Sequence, residues 1–233
     1  KGIINQKDTD GLLLRFADGK CVVELIQRIA NRQGFGNILA EGIAKAAETI
    51  GRKSEELAAV VKKNAVMEAG IRTHKGWALG IVTSARGSSH LRGASGLEFQ
   101  NIPTESSQKA LGIDEISDPT SYSNKADLVV WQERYKGVID MVGVCALVSM
   151  WMDITLYKPE DISHFMGHIT GKDISADMLM EAGEKVVNIE RSFNLLHAGF
   201  RRAEDQPPRK FVEIAVNKGP YEGEHLDFLK WNQ

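Results

Sequence analysis

The 233-residue chain is 42% apolar and 26% charged, with 29 basic residues against 31 acidic ones. This near-neutral balance supplies no basic stripe for nucleic acid, and no apolar run reaches the ~18 residues of a membrane span. Its two cysteines, Cys21 and Cys145, cannot alone complete a zinc site or an iron–sulfur cluster, which take about four ligands each. Any metal centre here must therefore borrow ligands from elsewhere. The length fits one large domain or two small ones. Scarce cysteine suits a reducing cytoplasm. Without an initial Met or a signal-peptide pattern, the chain reads as a piece of a longer one.

The elements read as mainly α, with few or no strands. Residues 21–32 place Val22, Leu25, Ile26 and Ile29 on one helical face, and Gly34, Phe35 and Gly36 break that helix. Asn37 can cap a second helix, which carries Leu39, Ile43, Ala46, Ala47 and Ile50 and stops at Gly51. Ser54 can cap a third, with Leu57, Val60 and Val61 facing inward. Residues 70–104 hold six glycines and few periodic runs, and residues 102–124, rich in Ser, Pro, Asp and Thr, read as a loop. Helical spacing returns with Leu128, Trp131, Tyr135, Val138 and Val142, and Pro159 suits the first turn of a helix near 159–169. The clearest periodicity runs through Leu179, Ala182, Val186, Ile189, Phe193 and Leu196, which predicts a buried stripe ending at Gly199. Residues 211–216 look like a short strand. No repeat of solenoid length is present.

Four constellations can carry chemistry, and each has a plainer reading. Asp140, Gly143 and Cys145 close an apolar helical run. Glycine can end the helix, aspartate can cap the next segment, and cysteine can be a small core residue. Alternatively, an ionised carboxylate accepts paired N–H donors from an amino-heterocycle. Glycine lets a planar ligand approach the backbone, and a thiolate is the usual ligand of an iron–sulfur cluster. In TSARGSSHLRG, residues 83–93, Arg86, His90 and Arg92 lie among small residues, with glycines flanking the histidine. The stretch is either a solvated surface turn or a loop whose arginines clamp phosphates and whose histidine moves a proton. His164 and His168 share a helical face. Phe165 stands where a zinc helix carries glutamate, which favours a solvated face. Asn188, Glu190, Arg191 and Asn194 line the polar side of the late helix, as interhelix salt bridges or solvated groups. Cys21 reads as core, and DTDGLLL at 8–14 as a turn.

The ordered stretches GFGNILAEG (34–42), ARGSSHLRG (85–93), VVWQERYKGVIDMVGVC (129–145) and ERSFNLLHAG (190–199) together resemble the C-terminal half of the tungsten-containing aldehyde ferredoxin oxidoreductases. The resemblance spans nearly the whole chain. It implies helical domains, with residues 1–60 ending a second domain and 61–233 forming a third. It implies a tungsten, or molybdenum, held between two pterins (a tungstopterin or molybdopterin) beside a [4Fe–4S] cluster. Aldehydes would be oxidised to carboxylic acids, with ferredoxin as electron acceptor and a homo-oligomer as one assembly.

By match to the family's Asp-x-x-Gly-Leu-Cys motif, the resemblance implies that Asp140 and Val144 contact the pterin. Cys145 would be the last cluster ligand, and Ala146 would touch the pterin through its backbone. Arg86 and Arg92 fall at cofactor-contacting positions, and His90 at that of a histidine near the metal, a proton donor or substrate-orienting group. Here Val144 replaces leucine, Arg92 replaces lysine, and Ser89 stands where some members carry cysteine. The other three cluster cysteines and the first Asp-x-x-Gly-Leu motif are expected upstream of Lys1, so the piece alone is expected to be inactive. Two alternatives accompany this reading. One is a tungsten enzyme of the same superfamily that reduces an aromatic acyl-thioester. The other is a cofactor-free helical module that binds a partner through its Trp131 and Tyr135 face.

Overall fold

Asp18 opens the first helix: its carboxylate accepts the N–H groups of Lys20 and Cys21 at 3.0 and 3.2 Å, satisfying donors that have no intrahelical partner. The computed structural model describes residues 2–67 and 70–232. In it α1 spans Gly19–Ala30. Its packed side is not the one expected. Val22 and Ile26 are 48% and 59% exposed, while Cys21 is buried as core. The reason is the approach of α2 (Phe35–Leu39), whose Gly36 sits directly on the Arg28 backbone.

The expected second helix is two. Gly42 takes φ 83, a left-handed conformation that separates α2 from α3 (Ile43–Ile50). Asn37 lies inside α2; the N-terminus of that helix is served instead by Asp10, whose carboxylate accepts the Phe35 N–H at 2.8 Å. The expected third helix shrinks to one 3-10 turn, Ser54–Glu56. Val60–Val61 (β1) instead pairs antiparallel with Asn64–Ala65 (β2), across a turn in which Lys62 and Lys63 both take positive φ. β-Branched Val60 and Val61 favour that strand.

The glycine-rich middle holds α4 (Lys75–Thr83), hidden from periodicity because it is buried nearly all round: Ala78, Ile81 and Val82 are fully buried. Its first turn is capped from a distance. The buried Glu98 carboxylate accepts the N–H groups of Gly76 and Trp77 at 3.0 and 2.7 Å and pairs with Lys125 Nζ at 2.9 Å. The expected loop at 102–124 contains α5 (Thr104–Leu111), whose single buried residue, Ser107, leaves no apolar stripe to read.

Three long helices follow: α6 (Lys125–Val142), α7 (Pro159–Thr170, with Pro159 in its first turn) and α8 (Ala176–Ala198). Ser175 caps α8, its hydroxyl oxygen accepting the Met178 N–H at 3.2 Å. The chain ends with α9 (Arg209–Glu213) and α10 (Phe228–Trp231). α9 replaces the strand expected at 211–216. Pro207 and Pro208 precede it, and buried Phe211 anchors it in the core beneath α4.

One core gathers Val61, Ile71, Ile81, Phe211 and Leu226. Tyr135, Ile139, Ile162 and Leu179 of α6, α7 and α8, with Trp151 from the segment between α6 and α7, form a second, joined through Trp131 to a third around Leu97, Ile116 and Leu128. Burial pushes the Tyr135 phenol up to about 12. Of the face expected to bind a partner in the cofactor-free reading, Tyr135 is fully buried and Trp131 is partly buried against both of these cores. The stripe of α8 is buried only at its start. Leu179 is covered, while Ile189, Phe193 and Leu196 are 68%, 60% and 79% exposed, because α6 and α7 pack on the N-terminal half.

α6 and α8 meet backbone to backbone. A Cβ on Gly137 would lie 2.9 Å from the Gly183 carbonyl oxygen, and one on Gly183 only 2.1 Å from that of Arg134. Replacing Gly183 with Ala must push the helices apart. The full chain should lose about 1–3 kcal/mol, read as a lowered midpoint in thermal unfolding; an unchanged midpoint would contradict the crossing.

Candidate functional site

The 83–93 segment leaves α4 and is gripped from two sides. Arg191 on α8 donates to the Thr83 carbonyl at 2.8 Å, and Asn194 donates to that of Ala85. From the hairpin, Lys62 Nζ donates to the Val82 carbonyl at 2.5 Å, and the Ser88 hydroxyl donates to those of Ala65 and Asn64. Asp205 ties the two sides together, pairing with Lys62 and with Arg191, each at 2.5 Å. The polar side of α8 is thus solvated at Asn188, ion-paired at Glu190 and Arg191, and bonded to backbone at Arg191 and Asn194. Arg191 and Asn194 clamp the loop, a role that sequence spacing does not reveal because the partners are backbone carbonyls more than 100 residues away.

Within this frame Arg92 meets the end of α6. Its guanidinium contacts Asp140 at 2.5 Å and also pairs with Glu190 of α8; Asp140 is shared with Lys136, one turn back on α6. The carboxylate keeps 38% of its surface exposed. Gly143 ends α6 at φ 76, and the Val144 N–H returns to the Ile139 carbonyl at 2.9 Å. This is the C-terminal turn for which glycine is suited. It leaves Cys145 exposed, while Val144 and Ala146 are partly buried against the second core. Arg86 is exposed, and with Arg92, Ala85, Glu190, Ile189 and Phe193 it lines an open groove of about 330 Å3.

Two groups that sequence reasoning missed sit behind this surface. Lys136 neutralises Asp140. Glu133, one turn earlier, packs over Gly93 and lines a cavity of about 10 Å3 with Arg92, Lys136, Glu190 and Arg191. Burial pushes the Glu133 carboxyl up, against the opposing pull of the Arg191 charge. A carboxylate at 133, one turn from a lysine at 136, was the only sequence signal for either.

His90 is not brought into the Arg86–Arg92 groove. Its ring stacks on Trp77 of α4, centroids 5.3 Å apart and planes 25° off parallel. His164 and His168 do not converge on a metal: the His168 ring bonds the His164 carbonyl at 2.8 Å. Among the described residues no three His, Cys, Asp or Glu side chains gather as a metal site, and no helix is long and apolar enough to cross a membrane.

Comparison with known proteins places this geometry. The family model for aldehyde ferredoxin oxidoreductase, domains 2 and 3, matches residues 1–233. The chain belongs to the aldehyde ferredoxin oxidoreductase family. It is 30% identical to the tungsten-containing aldehyde ferredoxin oxidoreductase of Pyrococcus horikoshii and 29% identical to that of Pyrococcus abyssi. Each match covers 99% of this chain and 36% of the relative, so the chain spans about a third of the length of the curated proteins it matches. The solved active-site complex BamBC of benzoyl coenzyme A reductase, bound to 1,5-dienoyl-CoA, shares the fold. Its TM-score is 0.68 at 24% identity, over 89% of this chain and 35% of that one.

The curated relatives are tungsten-containing, and the donor set of this chain can be tested against the pterin and cluster that the sequence resemblance leads one to expect. Arg92 and Lys136 each engage one oxygen of Asp140, and an ionised carboxylate offers about four lone-pair sites. Asp140 can therefore still accept N–H donors on its exposed side. The exposed thiol of Cys145 and the arginine-lined groove are equally accessible. These residues fit one side of a pterin and one corner of a cluster, and no more than that.

The raised Glu133 carboxyl has a measurable consequence. Above its ordinary value of 4.5 the native state holds a proton that the unfolded chain has released. This group's contribution to stability therefore falls as pH rises from 4.5 through its raised native value. Glu133→Gln removes that slope, so the variant should gain thermal stability relative to the parent from pH 4.5 towards neutrality. A difference in unfolding midpoint that is flat with pH would count against the assignment.

Proposed function

We propose that this chain is the C-terminal part of a tungsten, or molybdenum, bis-pterin oxidoreductase. The complete enzyme oxidises aldehydes to carboxylic acids and delivers the electrons through a [4Fe–4S] cluster to ferredoxin. In this proposal residues 1–60 close the second domain and 61–233 form the third. The observation that carries the reading is the Arg92–Asp140 ion pair. It unites two motifs 48 residues apart in sequence, and Cys145, five residues after Asp140, is exposed.

The conversion takes up water and releases two protons and two electrons. When bound, the tungstopterin supplies the acceptor for the electron pair. The chain's own residues bind, orient and handle protons. Asp140 accepts pterin N–H groups on its exposed side, and Arg92 and Lys136 hold it in place. Arg86 offers bidentate donors to anionic groups along the groove, and Arg92, paired with Asp140 and Glu190, lines the same groove. Val144 gives an apolar wall, Ala146 a backbone contact, and Cys145 the one cluster ligand that this chain contributes. His90, held flat against Trp77, moves a proton at the substrate carbonyl or orients it. The shared fold with the benzoyl coenzyme A reductase complex supports a second reading, reduction of an aromatic acyl-thioester. Assaying the full-length protein with an aldehyde plus ferredoxin, and separately with an aroyl thioester, decides between them.

Cys145→Ala in the full-length enzyme should lower the iron content or erase the EPR signal of the reduced cluster; a signal identical to that of the parent sinks the assignment. His90→Asn should cut turnover by about 10²-fold or more, the usual weight of a positioned proton-transfer group, with tungsten content unchanged. Normal turnover in that variant means the residue has another role.

A further inference from the structure

His90 is the end of a file of rings. Beyond it lies Trp77. Phe99 meets Trp77 edge to face, centroids 4.9 Å apart and planes at 82°. His74 stacks on Phe99 at 4.2 Å, and Tyr221 meets His74 edge-on at 5.9 Å. These five residues come from separate stretches of the chain: the turn before α4 and α4 itself, the 83–93 loop, the 3-10 turn at Gly96–Phe99, and the segment before α10. The backbone that presents Phe99 is held firmly, since neighbouring Glu98 is the buried cap of α4 and the partner of Lys125. Phe99 nevertheless leaves 55% of its surface in solvent, and Tyr221 leaves 37%.

We propose that this file is the approach surface for the substrate and that Phe99 and Trp77 select planar, aromatic aldehydes over small aliphatic ones. The inference rests on the assignment of His90 to the reacting end of the site. Several features of the file favour an uncharged planar ligand. Its members are rings rather than aliphatic side chains, so they offer faces and edges for offset and edge-to-face contact. Burial pushes the His74 imidazole down, which keeps that position neutral at neutral pH. A rigid 3-10 turn, not a mobile arm, carries the exposed ring. The aldehyde carbon of a ring lying along Phe99 and Trp77 is directed to His90, whereas a two-carbon aldehyde makes none of these contacts.

The test uses the full-length holoenzyme with benzaldehyde and acetaldehyde as competing probes. The parent should favour benzaldehyde in kcat/KM. Phe99→Ala should lower kcat/KM for benzaldehyde about tenfold, in line with the loss of a stacking contact and its buried area, and leave acetaldehyde within about twofold. Phe99→Leu keeps apolar bulk without a ring and should lose the same preference. Benzoate should quench tryptophan fluorescence in the parent, and less so in Trp77→Phe. Equal losses for both aldehydes, no loss for either, or quenching untouched by Trp77→Phe overturns the proposal while aldehyde oxidation stands. If the parent oxidises neither aldehyde, the functional reading itself fails and this proposal falls with it.

Discussion

Everything at the candidate site depends on how closely α6 and α8 cross. Where Gly137 faces Gly183 neither helix has a side chain, so the two backbones touch. One turn beyond the crossing Asp140 leaves α6, and about two turns beyond it Glu190 and Arg191 leave α8, near enough to hold one loop between them. A larger residue at either glycine would overlap the facing backbone and force the helices to shift, moving the elements that carry the two carboxylates Arg92 bridges. The crossing is thus the scaffold, and the ion pairs are the fasteners laid across it.

Those fasteners are better read as positioning devices than as sources of stability. The Glu98–Lys125 and Lys62–Asp205 pairs are almost wholly buried, and the cost of removing charges from water offsets most of their mutual attraction. What they do accomplish is geometric. Glu98 fixes the start of α4 against α6, and Lys62 with Asp205 fixes its end. α4 is therefore held at both termini, so the loop that follows it and the rings it carries have little freedom. Exposed Asp140 and half-buried Arg92 and Glu190 lie outside this dry frame, where partial hydration leaves Asp140 able to exchange partners.

Much of this could be read directly from the residues. Pro159, Gly199 and the spacing of Leu128 to Val142 mark α6, α7 and the end of α8, because caps and periodicity are local properties of the chain. Buried Cys21 follows from its apolar neighbours. The misreadings share a cause. α4 shows no period because it is covered on every side. α5 shows none because it is barely covered at all. The faces of α1 and of late α8 show a clear period, yet Val22, Ile26, Ile189 and Phe193 are exposed. Periodicity reports which face is apolar, not whether anything packs on it.

The sequence by itself determined the helical class and the family resemblance, and it singled out Asp140, Cys145, Arg86, Arg92 and His90 as candidates, since motif order and residue chemistry survive without coordinates. Only the tertiary structure decided which of these meet. It joined Arg92 to Asp140, turned His90 towards Trp77, and enlisted Lys136, Glu133, Arg191 and Asn194. Such pairings depend on the angle and distance at which helices cross, and those are set by the collective packing of residues far apart in the chain, which no local pattern encodes.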